Sequence, residues 1–156
     1  MEHGNPLLAK ICGQIAQDEG YHAQVYIQFV RTFFEKDPDG MMQALWQMLQ
    51  RGIVMPAHNM REVDPNGNVL RPGETYEYFS NIAQQLGVYT AKDYAAISAR
   101  LLTEWNIRTV PFPGLSDAGR EAQQKILRRQ KALDLMATRD RKKEIPQRRT
   151  SWLVHG

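Results

Sequence analysis

Between Pro6 and Glu35 apolar side chains return every three or four positions, the spacing that lines one side of an α-helix. Taking about 100° per residue and Ile15 as the origin, Phe33 falls at about 0°, Leu8 and Tyr26 at about 20°, and Ile11 and Phe29 at about −40°. Two polar residues break this stripe without leaving it: Glu19 at about 40° and His22 at about −20°. Asp18, at about −60°, sits on its border. The stripe is expected to be buried, so the acid and the imidazole inside it require an explanation.

The rest of the chain reads mostly as helix. Asn5-Pro6 opens the first, with proline at a first-turn position. Lys36-Asp37-Pro38-Asp39 before Gly40 marks a turn, with Asp37 as N-cap of a second helix over 38–51. Met42, Leu45, Trp46 and Leu49 form its apolar stripe. Residues 61–73 carry two prolines, two glycines and an Asn-Gly pair and are expected to form a loop. A third helix is expected over 75–86, stopping at Gly87. A fourth starts at Thr90, where Thr90 and Asp93 make a variant capping box, and ends near Trp105. Residues 106–115 are irregular, and Ser116 caps a last helix to Ala137. The pattern predicts an all-α protein, a bundle of antiparallel helices over 1–137 with a basic tail over 138–156. Within that tail Thr150–Val154 has the look of a short strand.

Composition narrows the classes. The 156 residues suffice for one domain with a core, and 42% apolar with 24% charged residues is ordinary for a globular chain. No window is apolar enough for a membrane span, and the first residues have neither a secretory nor a transit-peptide pattern. Cys12 is the one cysteine, which excludes an internal disulfide and a cysteine-based zinc site, and suits a reducing compartment. Charge is uneven: residues 1–119 hold 9 Lys/Arg and 13 Asp/Glu, whereas residues 120–156 hold 11 and 4. A basic end favours an acidic partner.

Glu19 and His22, three apart, project side by side from one helix. Carboxylate oxygen with imidazole nitrogen suits iron, manganese or zinc. Asp18, four residues before His22, is placed to accept a hydrogen bond from the other imidazole nitrogen. Chance alone would supply a Glu-x-x-His in such a chain roughly one time in five, and a buried Glu–His hydrogen bond would have the same pattern. From spacing alone both readings stand.

The string ICGQIAQDEGYH at 11–22 resembles the second metal-binding helix of the soluble acyl-[acyl-carrier-protein] desaturases, ferritin-like di-iron enzymes of plant plastids and some bacteria. FEKDPDG at 34–40, MPAHNM at 55–60, YFSNIAQQLGVYTAKDYAAI at 78–97, GLSDAG at 114–119 and SW at 151–152 resemble the same family in the same order. The resemblance implies a ferritin-like bundle, here its C-terminal portion. It also implies insertion of a cis double bond into a saturated acyl chain carried on acyl carrier protein, with dioxygen and electrons from a ferredoxin. Glu19 and His22 are then ligands of Fe2+ in a di-iron centre, and Asp18 is their outer support. The family also implies a homodimer and a location in the bacterial cytoplasm or the plastid stroma.

A carboxylate-bridged di-iron bundle takes one Glu from each of two helices and a Glu-x-x-His from each of two others. His3, His58 and His155 have no Glu three places before them, so this chain offers one such pair. Two identical copies bring two of the four glutamates unless other acids are recruited. The chain is therefore expected to be a fragment, one part of a split enzyme, or a helical protein without catalysis, and alone it is expected neither to hold two irons tightly nor to desaturate. Between the acid pair and the histidine the family usually has basic residues; Gly20 and Tyr21 stand here, and Gly20 weakens a helix by about 1 kcal/mol relative to alanine.

His58 follows Pro56 in a helix break and is read as a packing or turn residue. Because the family's acyl tunnel runs near this stretch, Pro56 and Tyr76 are candidates for contact with the alkyl chain. Lys125, Arg128, Arg129 and Lys131, with the basic run after Arg139, suit docking of the acidic acyl carrier protein. Nucleic acid is disfavoured, since the basic tail has Trp152 as its lone aromatic and no binding-motif signature. The alternative is a non-catalytic helical module that grips acyl carrier protein or another acidic partner.

Overall fold

A computed structural model of the chain describes residues 5–52, 56–59, 61–64 and 66–139. It is all-α: α1 (Pro6–Lys36), α2 (Pro38–Arg51), a 3-10 turn at Pro56–Asn59, α3 (Glu74–Gln85), α4 (Ala91–Glu104) and α5 (Asp117–Ala137). The expected strand at 150–154 and the basic run beyond Arg139 lie outside the described residues.

Local chemistry sets the helix ends. Asn5 accepts from the backbone N–H groups of Leu7 and Leu8, both at 3.1 Å, and Pro6 takes the first helical position. The Asp37 carboxylate accepts from the Gly40 N–H at 2.9 Å and starts α2. A Cβ at Gly40 would overlap that carboxylate, which explains the glycine in Asp37-Pro38-Asp39-Gly40. The Thr90 box forms as expected: Asp93 accepts from the Thr90 N–H at 2.8 Å and hydroxyl at 2.7 Å. Ser116 caps α5 through the Gly119 N–H at 3.2 Å. Gly87, with φ of 69°, follows α3 in the left-handed conformation that ends helices.

The chain divides into two compact units. The first comprises residues 1–46 and 100–125. Its core holds Ile27, Phe34, Met42, Leu45, Leu102, Ile107, Leu115 and Ala122. Phe34 packs on Trp105 and Phe112, with ring centroids 6.2 Å away in both cases. Gln123, buried in this core, donates to the carbonyls of Ile107 at 2.8 Å and Thr109 at 3.0 Å, so the irregular turn after α4 has its polar groups met. Asp39 accepts from the Ser116 N–H at 2.9 Å and hydroxyl at 2.7 Å and ties α2 to the start of α5. Here a Cβ at Gly119 would overlap the Asp39 carboxylate, and Gly114 needs its φ of 78°; the string Gly114-Leu-Ser-Asp-Ala-Gly119 is spelled by that close approach.

The second unit comprises residues 47–99 and 126–156. Gln130 of α5 is buried, donates to the Ala95 carbonyl at 3.1 Å and accepts from the Ser98 hydroxyl at 2.6 Å, locking α5 to α4. Residues 61–73 include one antiparallel bridge, Val63 to Val69, within the expected loop. Asp64 organises it by accepting from the N–H groups of Asn66 at 2.9 Å and Asn68 at 2.8 Å.

Candidate metal-ligand face and its surroundings

The helix that carries Glu19 and His22 has two faces with different fates. Near its C-terminal end, Ile27, Val30, Arg31 and Phe34 turn inward, at about 60–160° from the Ile15 origin. The Trp105 indole N–H donates to the Ile27 carbonyl at 3.2 Å. The Arg31 guanidinium donates to the Glu104 carboxylate at 2.9 Å and to its carbonyl at 3.2 Å. The chain's own core therefore takes a side of α1 roughly 100° away from the stripe that contains Glu19 and His22.

That stripe is open. Every residue from Asn5 to Tyr26 is exposed, and Leu8, Ile11, Ile15, Tyr26, Phe29 and Phe33 keep 44–68% of their surface accessible. This corrects the expectation of a buried stripe. The periodicity is present, and among the described residues nothing in this chain covers it. Apolar residues arranged this way need a partner surface, because the chain loses favourable burial at each of them.

Glu19 and His22 stand beside each other in this open stripe, with His22 Nδ1 3.6 Å from Glu19 Oε2 and their side chains 65% and 72% exposed for the histidine and the glutamate. At that separation the pair has no proper hydrogen bond, so the reading of a buried, mutually satisfied Glu–His pair does not describe this chain. Asp18 is also exposed. The donors fit a first-row metal in kind but not in number: among the described residues no group of three or more His, Cys, Asp or Glu side chains clusters to hold an ion. Gly20 leaves α1 unbroken, and a Cβ there would meet nothing within 4 Å.

The other candidates lie elsewhere. Tyr76 of α3 is half-buried and meets the His58 ring edge-on at 5.8 Å. A Cβ at Gly73 would come within 2.9 Å of His58, so His58 packs closely, as its place in the helix break suggested. Pro56 opens the 3-10 turn; its side chain lies outside what is described. Lys125 pairs with Glu121 at 2.7 Å and lies 5.8 Å over the Trp46 ring. Arg128, Arg129 and Lys131 follow on α5, exposed and without an ion pair among the described residues.

Sequence reading missed a cavity of about 350 Å³ in the first unit, lined among others by Arg31, Phe34, Trp105, Asn106, Phe112 and Pro113. Its one local signal is Asn106, a residue type that tolerates the left-handed region and here has φ of 56°. Also missed was Asp39, whose carboxyl sits below its ordinary value of 3.8 because the Ser116 hydroxyl and N–H both donate to it.

Comparison with known proteins agrees with the quoted strings. The family model described as Fatty acid desaturase matches residues 1–154. The chain is 40% identical over 154 residues to the chloroplastic stearoyl-[acyl-carrier-protein] 9-desaturase of Ricinus communis, covering 97% of this chain and 37% of that relative. It is 43% identical over 122 residues to stearoyl-[acyl-carrier-protein] 9-desaturase 3 of Arabidopsis thaliana, covering 78% and 28%. With the Olea europaea stearoyl-[acyl-carrier-protein] 9-desaturase the identity is 45% over 122 residues, covering 78% and 29%. The chain thus spans about a third of the length of the relatives it matches. No helix among the described residues is long and apolar enough to cross a membrane.

Proposed function

This chain belongs to the fatty acid desaturase family, and we propose that it acts in desaturation of an acyl chain carried on acyl carrier protein, supplying one ligand-bearing wall of the reaction site. The observation that carries this reading is the placement of Glu19 and His22 in the middle of an open apolar stripe. A helix so built completes itself against further helices that bring both oily surface and the missing carboxylates. Glu19 and His22 are the proposed iron donors, and Asp18 orients the imidazole from four residues away. Iron, when bound, supplies the oxygen chemistry that an inert alkyl C–H bond demands.

The chain's own residues do the rest. The stripe around the donors excludes water once covered and gives the alkyl chain an apolar surface. Pro56 and Tyr76 are proposed to touch that chain. Lys125, Arg128, Arg129 and Lys131 present positive charge to acyl carrier protein, so docking weakens as salt rises. Ferredoxin as electron donor, a homodimeric assembly, and a plastid-stromal or bacterial cytoplasmic location belong to the same proposal; the named relatives are chloroplastic.

The test mixes this chain with the part of the Ricinus communis relative that it does not match. Iron content and conversion of stearoyl-[acyl-carrier-protein] are then measured. The mixture is expected to retain iron and form the alkene, the chain alone to do neither, and His22→Ala to abolish iron retention in the mixture. A mixture that folds and takes no iron overturns the reading.

A further inference from the structure

The cavity of about 350 Å³ in the first unit plays no part in the proposed reaction. Ligand pockets run from about 300 to 1,000 Å³, so it has room for a small molecule or one substituent of a larger one. Three rings form its wall. Trp105 and Phe112 each lie 6.2 Å from Phe34 between ring centroids, at interplanar angles of 29° and 61°. The rings are fixed before any ligand arrives. The Trp105 indole N–H donates to the Ile27 carbonyl at 3.2 Å, and Gln123 holds the backbone that leads to Phe112 through the carbonyls of Ile107 and Thr109. Such preorganisation lowers the cost of binding. Trp105 therefore offers a ligand the face of its ring and no donor. Among the described residues a cation lies over the Trp46 ring, Lys125 at 5.8 Å, and none lies over the rings of the cavity.

Two charged side chains complete the wall. Arg31 is committed to Glu104: Nη2 is 2.9 Å from the carboxylate, and Nε and Nη2 donate to the Glu104 carbonyl at 3.3 and 3.2 Å. Arg100 reaches the other Glu104 oxygen at 3.8 Å from a more exposed position, so it competes weakly. Glu35, four residues after Arg31 on α1, is exposed, and its carboxylate has neither a hydrogen bond nor an ion pair among the described residues. The cavity thus presents electron-rich ring faces and one unopposed carboxylate. An anion would be repelled by both. A neutral apolar ligand would leave the carboxylate unused. A primary ammonium brings three N–H donors, whereas the lining side chains supply acceptor oxygens at Glu35 and Asn106 alone. A quaternary ammonium has no donor to satisfy and is attracted by ring faces and carboxylate together.

We propose that this cavity binds a quaternary ammonium group, its methyl groups against Phe34, Trp105 and Phe112 and its charge facing Glu35. The site shares no residue with Glu19, His22 or the open stripe of α1, so it stands or falls apart from the desaturase reading.

The experiment uses the full chain, with choline as the probe and NMR of the tryptophan indole N–H signals as the readout, assigned through Trp105→Phe and Trp46→Phe. Choline is expected to move the Trp105 signal to saturation and to leave that of Trp46 in place. Its uncharged carbon isostere, 3,3-dimethylbutan-1-ol, has the same shape and is expected to bind roughly tenfold more weakly. Ethanolamine, the primary amine, is expected to bind more weakly than choline, and the anion 3,3-dimethylbutanoate to give no saturable shift. Glu35→Gln, at an exposed position, is expected to weaken choline roughly fivefold in about 10 mM salt and less in about 0.3 M salt. No choline shift at Trp105, an isostere or ethanolamine that binds as tightly as choline, a tighter anion, or unchanged affinity in Glu35→Gln at low salt would each overturn the proposal. A chain that binds choline while its mixture with the Ricinus communis segment takes no iron removes the desaturase-site reading alone. A mixture that takes iron with no choline binding removes the cavity proposal alone.

Discussion

The two ends of α1 have similar apolar periodicity and opposite environments. Ile27 and Phe34 are 6% and 4% exposed, whereas Ile15 and Leu8 are 55% and 47% exposed. At the packed end the aromatic rings of Trp105 and Phe112 meet Phe34, and Arg31 is anchored by Glu104. At the bare end the same kinds of residue have no neighbouring element among the described residues. Amphipathicity states which side of a helix requires a partner; it does not state that the partner is present in the same chain.

This contrast gives an ordered set of expectations for the chain alone. Phe34→Ala should cost about 3–5 kcal/mol, since it empties a site that cannot easily collapse, while Ile15→Ala should change stability by less than about 0.5 kcal/mol. Urea denaturation of both variants is the measurement, and comparable losses would erase the distinction between the two ends. Trp105→Phe removes the indole bond to the Ile27 carbonyl and should cost about 1–2 kcal/mol, seen as a lowered urea midpoint. The smallest effect concerns acid. Asp39 has its folded value held below 3.8 by Ser116, so its contribution is fully present above pH 3.8 and is lost as pH falls through the lower folded value. Asp39→Asn should flatten that acid limb of the stability curve, read from urea midpoints measured between about pH 2 and pH 6.

The capping residues were legible because their chemistry is local. Asn5, Asp37, Thr90 with Asp93, and Ser116 each meet backbone donors within three residues of themselves, and short-range sequence is enough to place them. The Glu19/His22 pair was legible for the same reason, as three-residue spacing on a helix fixes adjacency. What could not be read was the side of α1 that packs. Ile27, Val30, Arg31 and Phe34 form a second stripe that looks weaker because an arginine stands in it, and the Glu104 contact that makes Arg31 acceptable lies 73 residues away. The ties from Asp39 to Ser116 and from Gln123 to the carbonyls of Ile107 and Thr109 are equally non-local.

By itself, then, the order of residues determined where the helices begin and end, which short strings mark the family, and that one carboxylate and one imidazole share a helix face. Only the tertiary structure decided which of the two apolar stripes of α1 this chain buries and which it leaves open. The reason is physical: hydrogen-bonded caps and helical adjacency act over a few residues, whereas burial depends on surfaces contributed by segments far away in the chain, or by another chain.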